Sequence, residues 1–269
     1  MSEERALYER EGDAFVGTGA TRGNWHDNGQ SGGAVLALFG HVLEDVPTLA
    51  PMSLARLTVD IVRPVPVGQR LHVATNVVRE GKKVQVVELT LSTDDIVCTR
   101  ARALRIRDAD LTSIGVPLPA STSTADPAAV LPPPDELAGV DHRPDVADFL
   151  RFGAELRRTV DPIDGFHGLW LRMRIPVVAG EPVRATSRAA LPMDCVNLIG
   201  VTGPILGVSM INADVSGHTF RMPRGEWVAM TGHTYFDHEV GHGMSGATMS
   251  DREGVFGTTS TSQILQYIG

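Results

Sequence analysis

The chain repeats its own punctuation. Arg63-Pro64 followed by Gly68 has a counterpart in Arg221-Met222-Pro223 followed by Gly225, and Asp94-Asp95 has one in Asp251-Arg252. The offset is roughly 157–158 residues each time. Around these marks the same order of elements occurs twice: an apolar helix, a long strand, an Arg-Pro type turn and a three-strand meander. Such self-similarity restricts a 269-residue chain to two copies of one supersecondary unit, a pseudo-dimer in a single polypeptide.

The first copy is the clearer one. From Gly32 onward, Val35, Leu36, Leu38, Phe39, Val42 and Leu43 are apolar almost all round, which predicts a deeply buried helix. Strands are predicted at 53–62, 70–80, 84–92 and 96–107, with a break at Arg63-Pro64-Val65-Pro66 and tight turns at Gly81-Lys82-Lys83 and Thr93-Asp94-Asp95. One buried helix followed by an antiparallel meander is an α+β unit whose sheet curls over the helix. In the last of these strands, Cys98, Arg100, Arg102 and Leu104 share one face, and Thr99, Ala101, Ala103 and Arg105 the other. Upstream, Phe15-Val16 reads as a short first strand.

Residues 109–148 are rich in Pro, Ser and Thr and contain Leu131-Pro132-Pro133-Pro134. They read as an extended linker running over the surface. The predicted organisation is therefore 1–108 for the first repeat, 109–148 for the linker and 149–269 for the second repeat. In the second repeat, strands are expected at 169–175, 210–220, 226–235, 244–249 and 255–268. A helix is expected at 184–199, kinked or started late by Pro192.

Charge narrows the function classes. With 24 Lys plus Arg against 32 Asp plus Glu the formal charge is −8, the opposite of a general nucleic-acid binder. No apolar run reaches transmembrane length, Met-Ser-Glu-Glu-Arg does not read as a signal peptide, and two cysteines make no disulfide framework. The expectation is a cytoplasmic protein without membrane or nucleic-acid partners.

The chemical candidates are few. His238-Glu239-Val240-Gly241-His242 spells HExxH, but zinc chemistry needs that motif on a helix, and the surrounding glycines predict a hairpin turn instead. No G-x-S-x-G occurs, and Cys98 and Cys195 lie in apolar segments, as core thiols do. Ser31, Gly32 and Gly33 open the first helix, either as an ordinary cap or as a site where free amides face something negative. Asp214 is the sole carboxylate between Asp194 and Glu226. With Thr234 and Gln263 it lies on strands that could converge in a curled sheet. A carboxylate, a hydroxyl and an amide can hold and polarise one water; equally, Thr and Gln are ordinary sheet residues.

Several of these stretches resemble the acyl-CoA thioesterase II type, within the thioesterase-like double-hotdog superfamily. They are Arg22-Gly23-Asn24-Trp25 followed by Ser31 to Leu38, Pro51-Met52-Ser53-Leu54 through Arg63-Pro64-Val65-Pro66, Ala213-Asp214 followed by Arg221, Trp227-Val228-Ala229 to Thr234, and Gly257 to Gln263. The resemblance implies an α+β double hotdog that hydrolyses acyl-CoA, or a similar acyl thioester, to free acid and thiol. It implies a hydrolytic water bound by Asp214, Thr234 and Gln263, with Thr231 a competitor for the hydroxyl role. The carbonyl would face Gly32 and Gly33, with no metal or other cofactor. Arg56, Arg63 or Arg221 would be available to the CoA phosphates, and exposed sheet edges make a homo-oligomer plausible. The competing implication is a non-catalytic hotdog that binds acyl-CoA or a lipid-like ligand.

Overall fold

The structure, a computed structural model, describes residues 6–24, 26–111, 115, 131–140, 146–159, 161, 167–199 and 208–267. Trp25, most of the predicted linker, the first five residues and the last two lie outside the described residues.

Helix α1 spans Gly32–Asp45 and is the axle of the first half. Ten of its fourteen residues are buried, which an all-round apolar surface requires. Strands β3 (Met52–Ile61), β4 (Arg70–Arg79), β5 (Val84–Thr93) and β6 (Ile96–Arg107) wrap it, close to the predicted bounds. The inner face of β6 is the predicted Thr99, Ala101, Ala103 and Arg105 set, while Arg100 and Arg102 face solvent. Arg105 is buried because the C-terminus of α1 needs it. Its guanidinium donates to the carbonyls of Leu43 at 3.0 Å and Val46 at 2.8 Å, where the helix ends and its last carbonyls run short of amide donors.

The second half repeats this. Val228, His242 and Gly254 open β12 (Val228–Asp237), β13 (His242–Asp251) and β14 (Gly254–Tyr267), each 158 residues after the starts of β4, β5 and β6. Helix α2 runs Ala185–Asp194 with Pro192 inside it, then tightens to a 3₁₀ turn over Cys195–Leu198. The predicted strand at 210–220 is two pieces, β10 (Val208–Asn212) and β11 (Asp214–Thr219), parted at Ala213.

The halves join edge to edge. Strand β3 pairs antiparallel with β11, placing Asp60 opposite Asp214 and Val59 opposite Val215. The result is one antiparallel sheet with two mutually packed helices: the α+β double hotdog. Helices α1 and α2 run antiparallel and touch. A Cβ on Gly40 would lie 2.8 Å from the Ser187 backbone, and Ser187 Oγ donates to the Ala37 carbonyl at 2.9 Å.

Three features went beyond expectation. The Phe15-Val16 strand is the second arm of a hairpin, β1 (Tyr8–Glu11) with β2 (Ala14–Gly17), and Leu7 and Tyr8 bond to the backbone of Pro176 and Val177. Second, residues 131–139, predicted as surface linker, dock on the outside of the second half. Leu131 packs with Trp170 and Ala229, Trp170 Nε1 donates to the Pro132 carbonyl at 2.9 Å, and β7 (Ala138–Gly139) pairs with β8 (Ala154–Arg158). Third, the strand expected at 169–175 is β9 (His167–Met173), and an unpredicted β8 lies beyond it toward the sheet edge, as β1 lies beyond β2 in the first half.

In the second half the turn is held by an ion pair whose carboxylate is fully buried. Arg221 reaches both carboxylate oxygens of Asp251, at 2.6 and 2.8 Å, and the Gly254 carbonyl at 2.6 Å; Asp251 also accepts the amides of Arg224 and Glu253. Burial acts to raise the Asp251 pKa, but the Arg221 and amide bonds outweigh it and hold the carboxyl below its usual range. That contribution to stability is present above the unfolded-state pKa and lost as pH falls through the folded one. We expect Arg221→Met to destabilise the fold by about 3–5 kcal/mol, since it strands a buried carboxylate. Urea unfolding at neutral pH and at pH 3 measures it; the loss should shrink at the lower pH.

Candidate active site

The site is assembled where the end of α2 meets the start of α1. Asp194 is the last residue of α2, a position where the helix dipole disfavours a carboxylate. It is tolerated because the neighbouring helix presents its N-terminus: the Gly33 amide donates to the Asp194 carboxyl. Gly32 must be glycine, because a Cβ there would run into the Asp194 carboxylate. Asp194 is only 8 % exposed. Burial raises its pKa above the ordinary range, opposed by bonds from Asn212 and Gly33.

Asn212 is the next member. It closes β10, and its Nδ2 donates to Asp194 Oδ1 at 2.9 Å and to the Asp194 carbonyl at 2.8 Å. Gln263, its register partner on β14, donates from Nε2 to Asn212 Oδ1 at 3.4 Å and to Ser245 Oγ at 3.0 Å. Ser245 Oγ lies 2.8 Å from Thr234 Oγ1, and Thr234 donates to the Ile199 carbonyl at 2.5 Å. Thus Asp194, Asn212, Gln263, Ser245 and Thr234 form one hydrogen-bonded chain, buried up to the half-buried Thr234.

Of the residues predicted for the site, Thr234 and Gln263 belong to this chain and Asp214 does not. The reason is an extra residue. Asn212 pairs with Gln263 while Ser216 pairs with Ser260, so Ala213 is a bulge. The bulge breaks the period-two alternation that would have put positions 212 and 214 on one face. Asp214 stands instead on the outer face opposite exposed Asp60, its Oδ1 accepting the Ser262 amide at 2.7 Å. Alternation also separates the two threonines. Thr231 shares the outer face with Ala229, under Leu131, whereas Thr234 points inward.

A cavity of about 230 Å³ opens at this point. Its polar wall is Gly32, Asp194 and Asn212; Val35, Leu36, Ile61, Val65, Ile211 and Ile264 supply apolar walls. The exposed residues His26 and Arg63 also line it. Gly32 faces the cavity, whereas the Gly33 amide is taken by Asp194. Arg221 is committed to Asp251, away from this cavity. The cysteines are core groups: burial raises the pKa of Cys98, and raises that of Cys195 further with help from the Asp194 charge.

The HExxH stretch is a hairpin loop. Asp237 pairs with His242 across its base, Asp237 Oδ1 accepts the amides of Glu239 and Val240, and Gly241 takes a φ of +70°. Among the described residues no group of three or more His, Cys, Asp or Glu is arranged to hold a metal, and no helix is long and apolar enough to cross a membrane.

Asp194, Asn212 and Ser245 were not singled out from sequence. A signal was present for the first: it is the lone acid in the apolar run Leu191 to Ile199. Asn212 and Ser245 carried none, because a polar residue in a strand is ordinary until its face is known.

Residues 21–106 match the family model of the acyl-CoA thioesterase N-terminal domain. No curated protein matched the sequence. Among solved structures, a provisionally assigned thioesterase of Novosphingobium aromaticivorans is 21% identical with a TM-score of 0.72, covering 97% of this chain and 98% of its own. A hot dog fold protein of unknown function from Alicyclobacillus acidocaldarius is 16% identical with a TM-score of 0.70, covering 96% and 95%. The acyl-CoA thioesterase II TesB2 of Mycobacterium marinum is 15% identical with a TM-score of 0.65, covering 97% and 96%. At these identities the structural likeness speaks to the fold, and the family model to the first half. Together they show that the chain has the double-hotdog fold of these structures and that residues 21–106 are similar to the acyl-CoA thioesterase N-terminal domain.

Proposed function

We propose that this protein hydrolyses acyl thioesters, acyl-CoA among them, with Asp194 rather than Asp214 as the general base. The observation that carries the reading is a desolvated carboxylate in the wall of an apolar cavity, held against the N-terminus of a buried helix. A buried acid with a raised pKa is a better proton acceptor near neutrality than a solvated one.

In this reading the acyl chain lies along Val35, Leu36 and Val65, and the carbonyl oxygen faces the Gly32 amide at the start of α1. A water held by Asp194 and Asn212 attacks the carbonyl carbon as Asp194 takes its proton. The helix N-terminus stabilises the oxyanion. The tetrahedral intermediate then expels the thiolate, and the proton on Asp194 passes to the sulfur, leaving free acid and thiol. Gln263 holds Asn212 from behind. His26 and Arg63 stand where the phosphates of a CoA carrier would leave the cavity.

The test offers the purified protein a panel of acyl-CoAs of increasing chain length and follows free thiol. Turnover of at least one is expected. No hydrolysis across the panel overturns the proposal, and tight binding without turnover would make the protein a non-catalytic acyl-thioester binder. Zinc bound stoichiometrically, with activity lost in His238→Ala, would move the chemistry to the β12–β13 hairpin.

A further inference from the structure

Most polar groups in the cavity wall are already spent. Asp194 and Asn212 bond each other. The Gln30 amide is held between the Tyr8 hydroxyl at 2.6 Å and the Pro66 carbonyl at 2.8 Å. Arg63 donates to the Val97 carbonyl at 3.1 Å, and His26, on the exposed rim, accepts the Asn28 amide at 3.3 Å. Thr99 is the exception. It lines the cavity, is 1 % exposed, and its hydroxyl has no hydrogen-bond partner among the described residues. A buried hydroxyl left unpaired is unfavourable, and a valine would fill nearly the same space without it. The fold does not call for one here. The same face of β6 continues with Ala101 and Ala103, and the place 158 residues later is Gly257.

Topology sets Thr99 across the cavity from the reacting groups. Ala213, next to Asn212, accepts the Ile61 amide at 3.0 Å, and Ile61 faces Thr99 in the register of β3 with β6. Thr99 is thus two strands away from Asn212 and Ala213, a span of about 10 Å. In the next strand, β5, its register partner Leu91 is fully buried and does not line the cavity, so the cavity ends at Thr99. Between the two ends the wall is Val35, Leu36, Ile61 and Val65. At about 230 Å³ the cavity is smaller than the roughly 300–1,000 Å³ of ordinary ligand sites, which suits a short chain.

We propose that Thr99 selects short acyl groups that carry a hydroxyl or carbonyl oxygen at the end remote from the thioester. The inference rests on the thioesterase reading above and narrows its substrate class. Thr99 donates to a substrate carbonyl, and donates to or accepts from a substrate hydroxyl. An unsubstituted chain leaves the Thr99 hydroxyl unpaired, so the penalty falls on the plain substrate.

The experiment pairs butanoyl-, pentanoyl- and hexanoyl-CoA with their ω-hydroxy counterparts and follows free thiol in wild type, Thr99→Val and Thr99→Ser, with thermal unfolding of each. In wild type at least one ω-hydroxyacyl-CoA should exceed its plain partner in kcat/KM by about 10-fold, the effect of one hydrogen bond made or left unmade. Thr99→Val should abolish or reverse that preference, mainly through KM, while plain chains turn over at least as well as before. Thr99→Ser, which keeps the hydroxyl, should keep the preference. Thr99→Val should also melt no lower than wild type, because it loses an unpaired buried group. Equal kcat/KM within every pair in wild type, a preference that survives in Thr99→Val, or a Thr99→Val that melts lower or fails to fold would overturn the proposal; the last would make the hydroxyl a structural one. Hydrolysis confined to longer unsubstituted chains would overturn this substrate class and leave the thioesterase reading standing. Hydrolysis of no acyl-CoA, here or in the longer panel, would overturn the thioesterase reading and this inference with it.

Discussion

Asp194→Asn should hydrolyse acyl thioesters about 10²–10⁴-fold more slowly than wild type, the range for removing a general base. The substitution is close to isosteric, and its amide oxygen can still accept from Asn212 and Gly33, so the pocket should survive. Stability should follow the opposite direction from activity. Burial raises the Asp194 pKa in the folded state. A raised acid contributes stability that is fully present below the unfolded-state pKa and is lost as pH rises through the folded value. At neutral pH wild type therefore carries a penalty that Asn lacks, and Asp194→Asn should melt at the same temperature or higher. The advantage should fade on acidification. The same shift predicts that the acid limb of kcat/KM lies above the ordinary aspartate value of about 3.9. Asp214→Asn is the matched control. Its carboxylate lies on the outer face with the Ser262 amide, so activity should stay within a few fold. A dead Asp214→Asn beside an active Asp194→Asn would return the base to position 214.

Gly32→Ala should be nearly as damaging to catalysis, by about 10²-fold or more, although it adds one methyl group. The new Cβ would occupy the place of the Asp194 carboxylate, so either the carboxylate or the first turn of α1 must move. Either movement misaligns base and oxyanion donor together. The adjacent Gly33→Ala is the discriminating comparison. Its Cβ would meet the Phe149 ring at 3.1 Å and Cys195 Sγ at 3.3 Å, contacts a small side-chain shift can relieve. Measured by single-turnover hydrolysis, Gly32→Ala should lose the chemical step while Gly33→Ala retains most of it. Equal losses would mean that the helix start as a whole, rather than the Gly32–Asp194 contact, governs the rate.

The duplication, the buried helix α1 and the meander strands were legible in the sequence because each rests on local regularity. The alternation along β6 assigned Arg105 to a face with Thr99, Ala101 and Ala103, and that face is the buried one. What alternation alone could not reveal was why an arginine belongs inside: the carbonyls it satisfies lie about sixty residues earlier, at the end of α1. Residues 131–139 run over the surface as expected of them, but where they dock was not legible for a similar reason. Pro-rich composition reports a local preference for extended backbone, and says nothing of Trp170 and Ala229 waiting to receive Leu131.

By itself, the sequence determined that two α+β units are joined in one chain, that α1 is central, and that Gly32, Gly33, Thr234 and Gln263 merit chemical notice. The tertiary structure decided which carboxylate joins them. One bulged residue at Ala213 turns Asp214 outward, and the antiparallel packing of α1 on α2 brings Asp194 to the α1 N-terminus. Both facts are long-range. A bulge is defined by the partner strand, and a helix contact by the neighbouring helix, so neither is written in the residues that surround the acid.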